Sequence, residues 1–119
     1  MRAELAENPS NGAAEATLSW LLFDDNQADE AISYARKAQN DAPSLPLSVY
    51  VYGRSLVETG QTASGIAYLE DGLKRFPKDL LTHVELAAAY AKAGLSERAR
   101  RERALCLEMA EGANAIAQR

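Results

Sequence analysis

The chain has 119 residues, 47% of them hydrophobic and 25% charged, with a formal net charge of -4. A chain of this length buries only about two thirds of the surface that it exposes when unfolded, which suffices for one modest core and excludes a large multidomain enzyme. One Cys and one His cannot form an internal disulfide or supply the three or four nitrogen and sulfur ligands of a usual zinc site.

Hydropathy and charge exclude further classes of protein. The longest apolar runs, such as Trp20-Leu21-Leu22-Phe23, are far shorter than the roughly 20 residues that cross a bilayer. Residues 1–45 carry 3 Lys or Arg against 8 Asp or Glu, and an acidic front half argues against nucleic acid as the main partner. We therefore expect one soluble domain with no membrane span, no targeting segment in this chain and no nucleic-acid ligand. The compartment stays open.

Prolines and small residues divide the chain into repeats. Pro9, Pro43 and Pro77 lie 34 residues apart. A period of this length predicts a repeat architecture. Between the prolines, apolar residues recur every three or four residues, which is the pattern of amphipathic helices. We therefore predict an all-α fold with two helices in each period. Two further columns keep the same step: Asn26, Gly60 and Gly94, and Ala31, Gly65 and Ala99.

The predicted elements follow the repeat in chain order. Residues 1–11 are expected to be the tail of a preceding, truncated repeat, because Pro9 sits where a repeat closes. Three repeats then occupy residues 12–45, 46–79 and 80–111, and residues 112–119 form a C-terminal tail. Their helices are predicted at residues 12–25, 28–41, 46–59, 62–75, 80–93 and 96–111.

Particular residues are expected to begin and end these helices. Asn26, Gly60 and Gly94 can adopt the left-handed conformation that ends a first helix, and the prolines end the second helices. Ser44 and Asp79 are predicted to cap the first helices of the later repeats. At the far end the proline column holds Glu111 instead, so we expect residue 119 to lie near a natural C-terminus.

The later repeats carry the residues of a known motif. The stretch Tyr52-Gly53-Arg54-Ser55-Leu56 with Gly65, and Leu86-Ala87-Ala88-Ala89-Tyr90 with Ala99, resemble the tetratricopeptide repeat (TPR) family, whose unit is a 34-residue helix-turn-helix. The resemblance covers about 100 residues and implies a right-handed α-solenoid of three repeats. We expect the chain to be the C-terminal part of a longer bacterial protein of this family.

The first repeat matches the family less well. Ser19 stands where a very small residue is usual at the helix crossing. The family's usual tryptophan is also missing, since its column holds Glu15, Val49 and His83. The period and the agreement of several columns still favour the same fold.

The resemblance implies that the first helices line a concave groove, where this family usually binds peptides or partner proteins. Residues of the first helices outside the core columns are then the candidate binding residues. These are Ala16, Trp20 and Phe23 in the first repeat, Leu47, Tyr50, Arg54 and Val57 in the second, and Leu81, Val84 and Ala88 in the third. Such an apolar and aromatic surface is typical of interaction sites. The alternative is that Trp20 or Phe23 packs under neighbouring side chains.

Two clusters could carry other chemistry, and each has a simpler explanation. His83 and Cys106 could form a nucleophile pair, but no third orienting group is evident and a small thiol packs well in a core. The acidic residues of the first turn lack the regular spacing and central glycine of a calcium loop. No phosphate-binding loop, GxSxG or HExxH motif occurs.

We therefore predict a non-catalytic scaffold or adaptor module, with no cofactor and no metal site, that binds a peptide or protein in its apolar groove. One alternative is a structural module that forms a homodimer or docks within its own chain. The other is an accessory domain of a larger enzyme or assembly factor. An acidic partner for the arginines of the last helix, Arg98, Arg100, Arg101 and Arg103, is an alternative to their lying on an exposed helix face.

Overall fold

Helices account for all the regular structure that is described. The computed structural model describes residues 11–117, with side-chain surroundings for residues 11–112. Within these residues there are six helices and no strand, which confirms the predicted all-α fold. Five of the helices match their predicted bounds to within one residue. The helices are α1 Gly12–Asp24, α2 Ala28–Asp41, α3 Pro46–Glu58, α4 Thr62–Arg75, α5 Leu80–Lys92 and α6 Ser96–Ala117.

Each first helix ends in the same turn. Asn26, Gly60 and Gly94 have φ values of 59°, 84° and 80°, as predicted for left-handed helix ends. The residue after each of them donates its backbone N–H to the carbonyl five residues earlier, which closes the last helical turn. These bonds run from Gln27 to Leu22 (2.9 Å), from Gln61 to Leu56 (2.8 Å) and from Leu95 to Tyr90 (2.9 Å).

For the first helices of the later repeats, the predicted cap Asp79 is confirmed and the predicted cap Ser44 is wrong. The Asp79 carboxylate accepts the backbone N–H of Thr82 at 3.1 Å, which caps α5. At the start of α3, however, the capping position belongs to Leu45 and the helix begins with Pro46. Proline suits a first helical position because its fixed φ is already helical and its missing N–H needs no partner there. Ser44 therefore lies one residue too early.

The last helix is longer than predicted. α6 has 22 residues and reaches Ala117, whereas α2 and α4 have 14 each. Those two helices end shortly before Pro43 and Pro77, since proline disfavours a helical residue before it. Glu111 occupies the corresponding position in α6, so nothing there ends the helix. The predicted tail at 112–119 is helical as far as the structure describes it, and residues 1–10 of the predicted N-terminal tail lie outside the described residues.

The six helices form two layers. The helices of each repeat pack against each other, and each first helix also contacts the first helix of the next repeat, so that α1, α3 and α5 lie side by side. Among the described residues the second helices α2, α4 and α6 do not contact one another. The layer of first helices is thus the tighter one, and it is the layer that the TPR resemblance predicts to lie on the concave side.

The helices of one repeat cross at small residues. A Cβ atom added to Gly53 would come within 2.3 Å of a Leu69 methyl carbon, so only glycine allows this approach. In the first repeat Ser19 takes that place, and its hydroxyl donates to the Ala31 carbonyl at 2.7 Å. The residue that made the first repeat look like a poor match therefore joins its two helices through a buried hydrogen bond.

Most of the core lies between repeats. One cluster joins α1 and α2 to Tyr50 and Val51 of α3, and a second joins Val57 and Leu69 to Leu86 and Tyr90 of α5. α3 therefore covers the first repeat, and α5 covers the second. No helix in the described range is long and apolar enough to cross a membrane.

Candidate partner-binding surface

The ten predicted groove residues differ in how deeply they are buried. Trp20 is 40% exposed, Val84 is 48% exposed, and Ala88 is exposed as well. Leu47, Leu81 and Arg54 are partly buried, the two leucines against the first core cluster. The remaining four lie in the core and shape the groove from beneath: Ala16, Phe23, Tyr50 and Val57.

Three of these residues occupy one register position. Trp20, Arg54 and Ala88 are each 34 residues apart and lie on α1, α3 and α5, which pack side by side. We call them the concave row. All three reach solvent, with the Arg54 side chain 27% exposed. The row places an aromatic ring and a guanidinium on neighbouring helices of the inner layer.

Buried aromatic residues hold Arg54 in place. Its guanidinium carbon lies 4.5 Å from the centroid of the Phe23 ring on α1, a favourable cation–π distance. Its Nη1 donates a hydrogen bond to the Tyr50 hydroxyl at 3.0 Å, and its Nε lies 3.7 Å from the Glu58 carboxylate. Phe23 and Tyr50 thus fix the orientation of Arg54 before any ligand arrives.

A buried carboxyl group lies beneath the concave row. Glu85 of α5 is 9% exposed. Burial raises the pKa of its carboxyl from 4.5 to about 7, with Arg54 and Lys92 lowering it in part and Glu58 adding to the rise. Near neutral pH this group is therefore partly protonated. The groove is less apolar than predicted, because it contains two carboxyl groups and a lysine as well as Arg54.

These charged neighbours were not predicted from the sequence, although one signal was present. Glu58 lies four residues after Arg54 and Lys92 lies four residues after Ala88, which is the spacing of residues on one helix face. Extending the row by one helical turn would have found both. Glu85 gave no such signal, since its column holds Val51 in the middle repeat.

Two further titratable groups occupy the column where the family usually has tryptophan. Glu15 is buried, and burial followed by hydrogen bonding and repulsion from Asp41 raises its pKa to about 7. His83 contacts the Glu102 carboxylate through Nδ1, and its Nε2 lies 2.7 Å from the Pro77 carbonyl oxygen. That oxygen can only accept, so Nε2 carries a proton and donates. These contacts tie α1 to α2 and α5 to α6.

His83 and Cys106 do not form an activated pair. Both ring nitrogens of His83 already have partners in Glu102 and Pro77. Burial and the nearby Glu102 raise the pKa of the Cys106 thiol, which keeps it protonated, whereas a nucleophilic cysteine needs a lowered pKa. The contacts of both residues are those of structural groups.

The other charged clusters show ordinary surface contacts. In the first turn the Gln27 amide donates to the Asp25 carboxylate at 2.7 Å. Nowhere in the described part of the chain do three or more His, Cys, Asp or Glu residues come together as metal ligands would. In α6, Arg100 lies 3.6 Å from Glu97.

A second exposed surface lies at the end of the third repeat. A hollow of about 400 Å³ opens between α5 and α6. We call this surface the end face. Its residues are mostly apolar, with one arginine: Val84, Ala87, Ala88, Ala91, Arg103, Cys106 and Leu107.

No protein-family model and no curated protein matches the sequence. Solved structures do match the fold. The NMR structure of the first TPR domain of human RPAP3 aligns with a TM-score of 0.72 at 16% identity, covering 86% of this chain and 80% of that one.

Two structures of MamA align similarly. The one designated MSR-1 has a TM-score of 0.68 at 20% identity, covering 94% of this chain and 64% of the MamA chain. The one designated AMB-1 has a TM-score of 0.69 at 22% identity, covering 93% of this chain and 66% of the MamA chain. This chain thus spans less than two thirds of either. Identities this low establish the fold alone, and the described residues have the TPR fold.

Proposed function

We propose that the chain is a non-catalytic protein-binding module whose concave row takes a segment of another protein. The observation that carries this proposal is the exposed Trp20 beside an Arg54 that buried aromatic residues hold in position. Tryptophan and arginine dominate the energy of many protein interfaces. The groove function that the TPR resemblance implies points to the same surface.

The concave row suits binding because its residues lose little conformational entropy when a partner docks. Trp20 lies on a helix that packs against α2 and α3, so its backbone loses little freedom when a partner docks. Arg54 is fixed by Phe23 and Tyr50, which reduces the side-chain entropy lost on binding. A ligand therefore gains contact area with few new restraints.

The charges around Arg54 define the class of ligand. Glu58 and Glu85 lie close to Arg54 and offset its positive charge. A strongly acidic ligand gains little there, whereas a neutral acceptor such as a backbone carbonyl can use the remaining guanidinium N–H groups. We expect an extended or helical segment with an apolar side chain against Trp20.

A peptide display library selected against the intact chain tests this proposal. Peptides are selected on the wild type with Trp20→Ala in solution as a competitor, which favours ligands that need the indole. Trp20 is the only tryptophan, so its fluorescence reports docking directly. We expect Trp20→Ala to weaken selected peptides by about 1 to 3 kcal/mol.

A matched variant separates the concave row from the rest of the surface. Leu105 is an exposed apolar residue of α6 that lies outside the row, so Leu105→Ala should leave the affinity unchanged. A second selection uses the wild type without the Trp20→Ala competitor, so it does not favour ligands that need the indole. If the peptides from this second selection bind Trp20→Ala as tightly as the wild type, the proposal is wrong.

A further inference from the structure

The end face corresponds to surfaces that are covered in the first two repeats. Val84 is 48% exposed, whereas Tyr50 and Ala16, its counterparts in the repeat register, are 5% and 0% exposed. In the first two repeats, the first helix of the next repeat covers these positions. The third repeat presents the same surface without such a helix in the described structure.

Three residues of α6, the helix beside the hollow, form a stripe along one side of the helix. Arg103, Leu107 and Glu111 follow one another at intervals of four residues, so they lie along one side of α6. Leu107 is 64% exposed, and with Arg103 it borders the hollow. Within the described residues neither the Arg103 nor the Glu111 side chain has a hydrogen bond or ion-pair partner.

This stripe is complementary to itself. We propose that a second copy of this chain docks on the end face, with the two α6 helices antiparallel across a two-fold axis at Leu107. Arg103 and Glu111 each lie four residues from Leu107. An antiparallel arrangement therefore places Arg103 of one copy opposite Glu111 of the partner subunit, and the reverse pair forms by symmetry. The two Leu107 side chains meet at the axis beside the hollows.

The charge of Arg103 favours a second copy over a further repeat. Arg103 occupies the column of Ala35 and Leu69, which are completely buried in core clusters that include residues of the next first helix. A further repeat packed in that way would bury an arginine without a partner, which is costly. A second copy supplies the Glu111 carboxylate at that point and leaves the pair at the rim of the interface. The end face shares Ala88 with the concave row, but it includes neither Trp20 nor Arg54.

Charge reversal tests the pairing by sedimentation equilibrium over a range of protein concentrations. Wild type should form a dimer whose fraction rises with concentration. Arg103→Glu and Glu111→Arg each turn two attractive pairs into two repulsive ones, so each variant should dimerise at least about tenfold more weakly. An equimolar mixture of the two variants should recover a heterodimer, because a copy with glutamate at both positions then faces a copy with arginine at both. Arg101→Glu makes the same charge change elsewhere on α6 and should dimerise like the wild type.

Circular dichroism of each variant tests whether the helices persist, so that a lower mass can be attributed to lost association. A wild type that stays monomeric at all concentrations overturns the proposal. So does a dimer that survives both single reversals. If the single variants are monomeric and their mixture stays monomeric as well, the antiparallel pairing of α6 is wrong.

Discussion

The concave row and the end face are both exposed surfaces, but they arise in opposite ways. The concave row exists because repeats touch: Phe23 of one repeat supports Arg54 of the next, and Tyr50 holds its guanidinium. The end face lies where none of the described helices covers the third repeat, so that Val84 and Leu107 are open to solvent. The first surface is therefore pre-organised and mixed in charge, while the second is an uncovered part of the repeat pattern.

This difference shows that the same register position can be buried in one repeat and exposed in another. Its backbone geometry repeats with the sequence period, but its exposure depends on what covers it. Tyr50 and Val84 share a position and a helical environment, yet one is core and the other is surface. Variants at such matched positions separate the two contributions.

The largest expected effect comes from truncating the supporting residue. Tyr50→Ala removes a buried ring and the hydroxyl that binds Arg54, and should lower the free energy of unfolding by about 3 to 4 kcal/mol. Val84→Ala at the matched position should change it by less than about 0.5 kcal/mol, because exposed side chains contribute little. Urea unfolding followed by circular dichroism measures both. Equal losses would contradict the assignment of core and surface.

The next effect compares two glycines. Gly53→Leu forces a side chain into the space of Leu69 and should destabilise the middle repeat by about 1 to 3 kcal/mol. Gly112→Leu provides the control, since no atom of the described structure lies within 4 Å of a Cβ atom added there and leucine favours a helix. We expect that variant to be at least as stable as the wild type when both are measured at low concentration. A Gly53→Leu protein that unfolds like the wild type would contradict the close crossing of α3 and α4.

A smaller effect should appear as a dependence on pH. The pKa of Glu85 is raised from 4.5 to about 7 in the folded chain, so folding is favoured while this group keeps its proton. As the pH rises between these two values, Glu85 ionises more readily in the unfolded chain and stability falls. Glu85→Gln should remove this loss and be more stable at pH 8 by about 1 to 2 kcal/mol.

Glu58 provides the control for this measurement. It lies on the same groove but is exposed, so Glu58→Gln changes the net charge equally without relieving a buried carboxyl group. Because Glu58 contributes only part of the rise in the pKa of Glu85, Glu58→Gln should keep most of the fall in stability between pH 4 and pH 8. Thermal unfolding of the three proteins across this range decides the matter, and parallel curves for wild type and Glu85→Gln would refute the burial of Glu85.

The last prediction in order of size is that a free C-terminal carboxylate on the peptide does not change its affinity. Some TPR proteins hold a C-terminal carboxylate with basic groove residues, but the matching positions here carry Ala16, Trp20, Val51, Leu81 and Glu85. A peptide selected on the concave row should therefore bind with the same affinity as a free acid and as its amide. Isothermal titration calorimetry of the two forms measures this. A strong preference for the free acid would show that Arg54 acts as a carboxylate clamp.

The sequence period was enough to predict the helices and the turns. Asn26, Gly60 and Gly94 recur at one spacing, and their left-handed backbone follows from local chemistry that needs no knowledge of neighbours. The extension of α6 to Ala117 was missed, although the absence of proline at Glu111 was noticed. The absence of a proline at that position is compatible with a chain end, but it equally permits a longer helix.

The candidate site was harder to predict because burial depends on contacts between repeats. Tyr50 and Phe23 were placed in the groove by register, but the structure packs them beneath Arg54. Their position along the helix could be deduced, whereas the side chain that would cover them could not. The burial of Glu85 could not be predicted for the same reason, since its surroundings come from α3 as well as α5.

Hydrogen exchange tests most directly whether the two surfaces serve different partners. Exchange is measured for the chain at low and at high concentration, with and without a peptide selected on the concave row. We predict that the peptide slows exchange in α1 and α3 around Trp20 and Arg54, while higher concentration alone slows it in α6 around Leu107. Protection of α6 by the peptide, with α1 and α3 unchanged, would contradict the assignment of the concave row as the partner-binding surface.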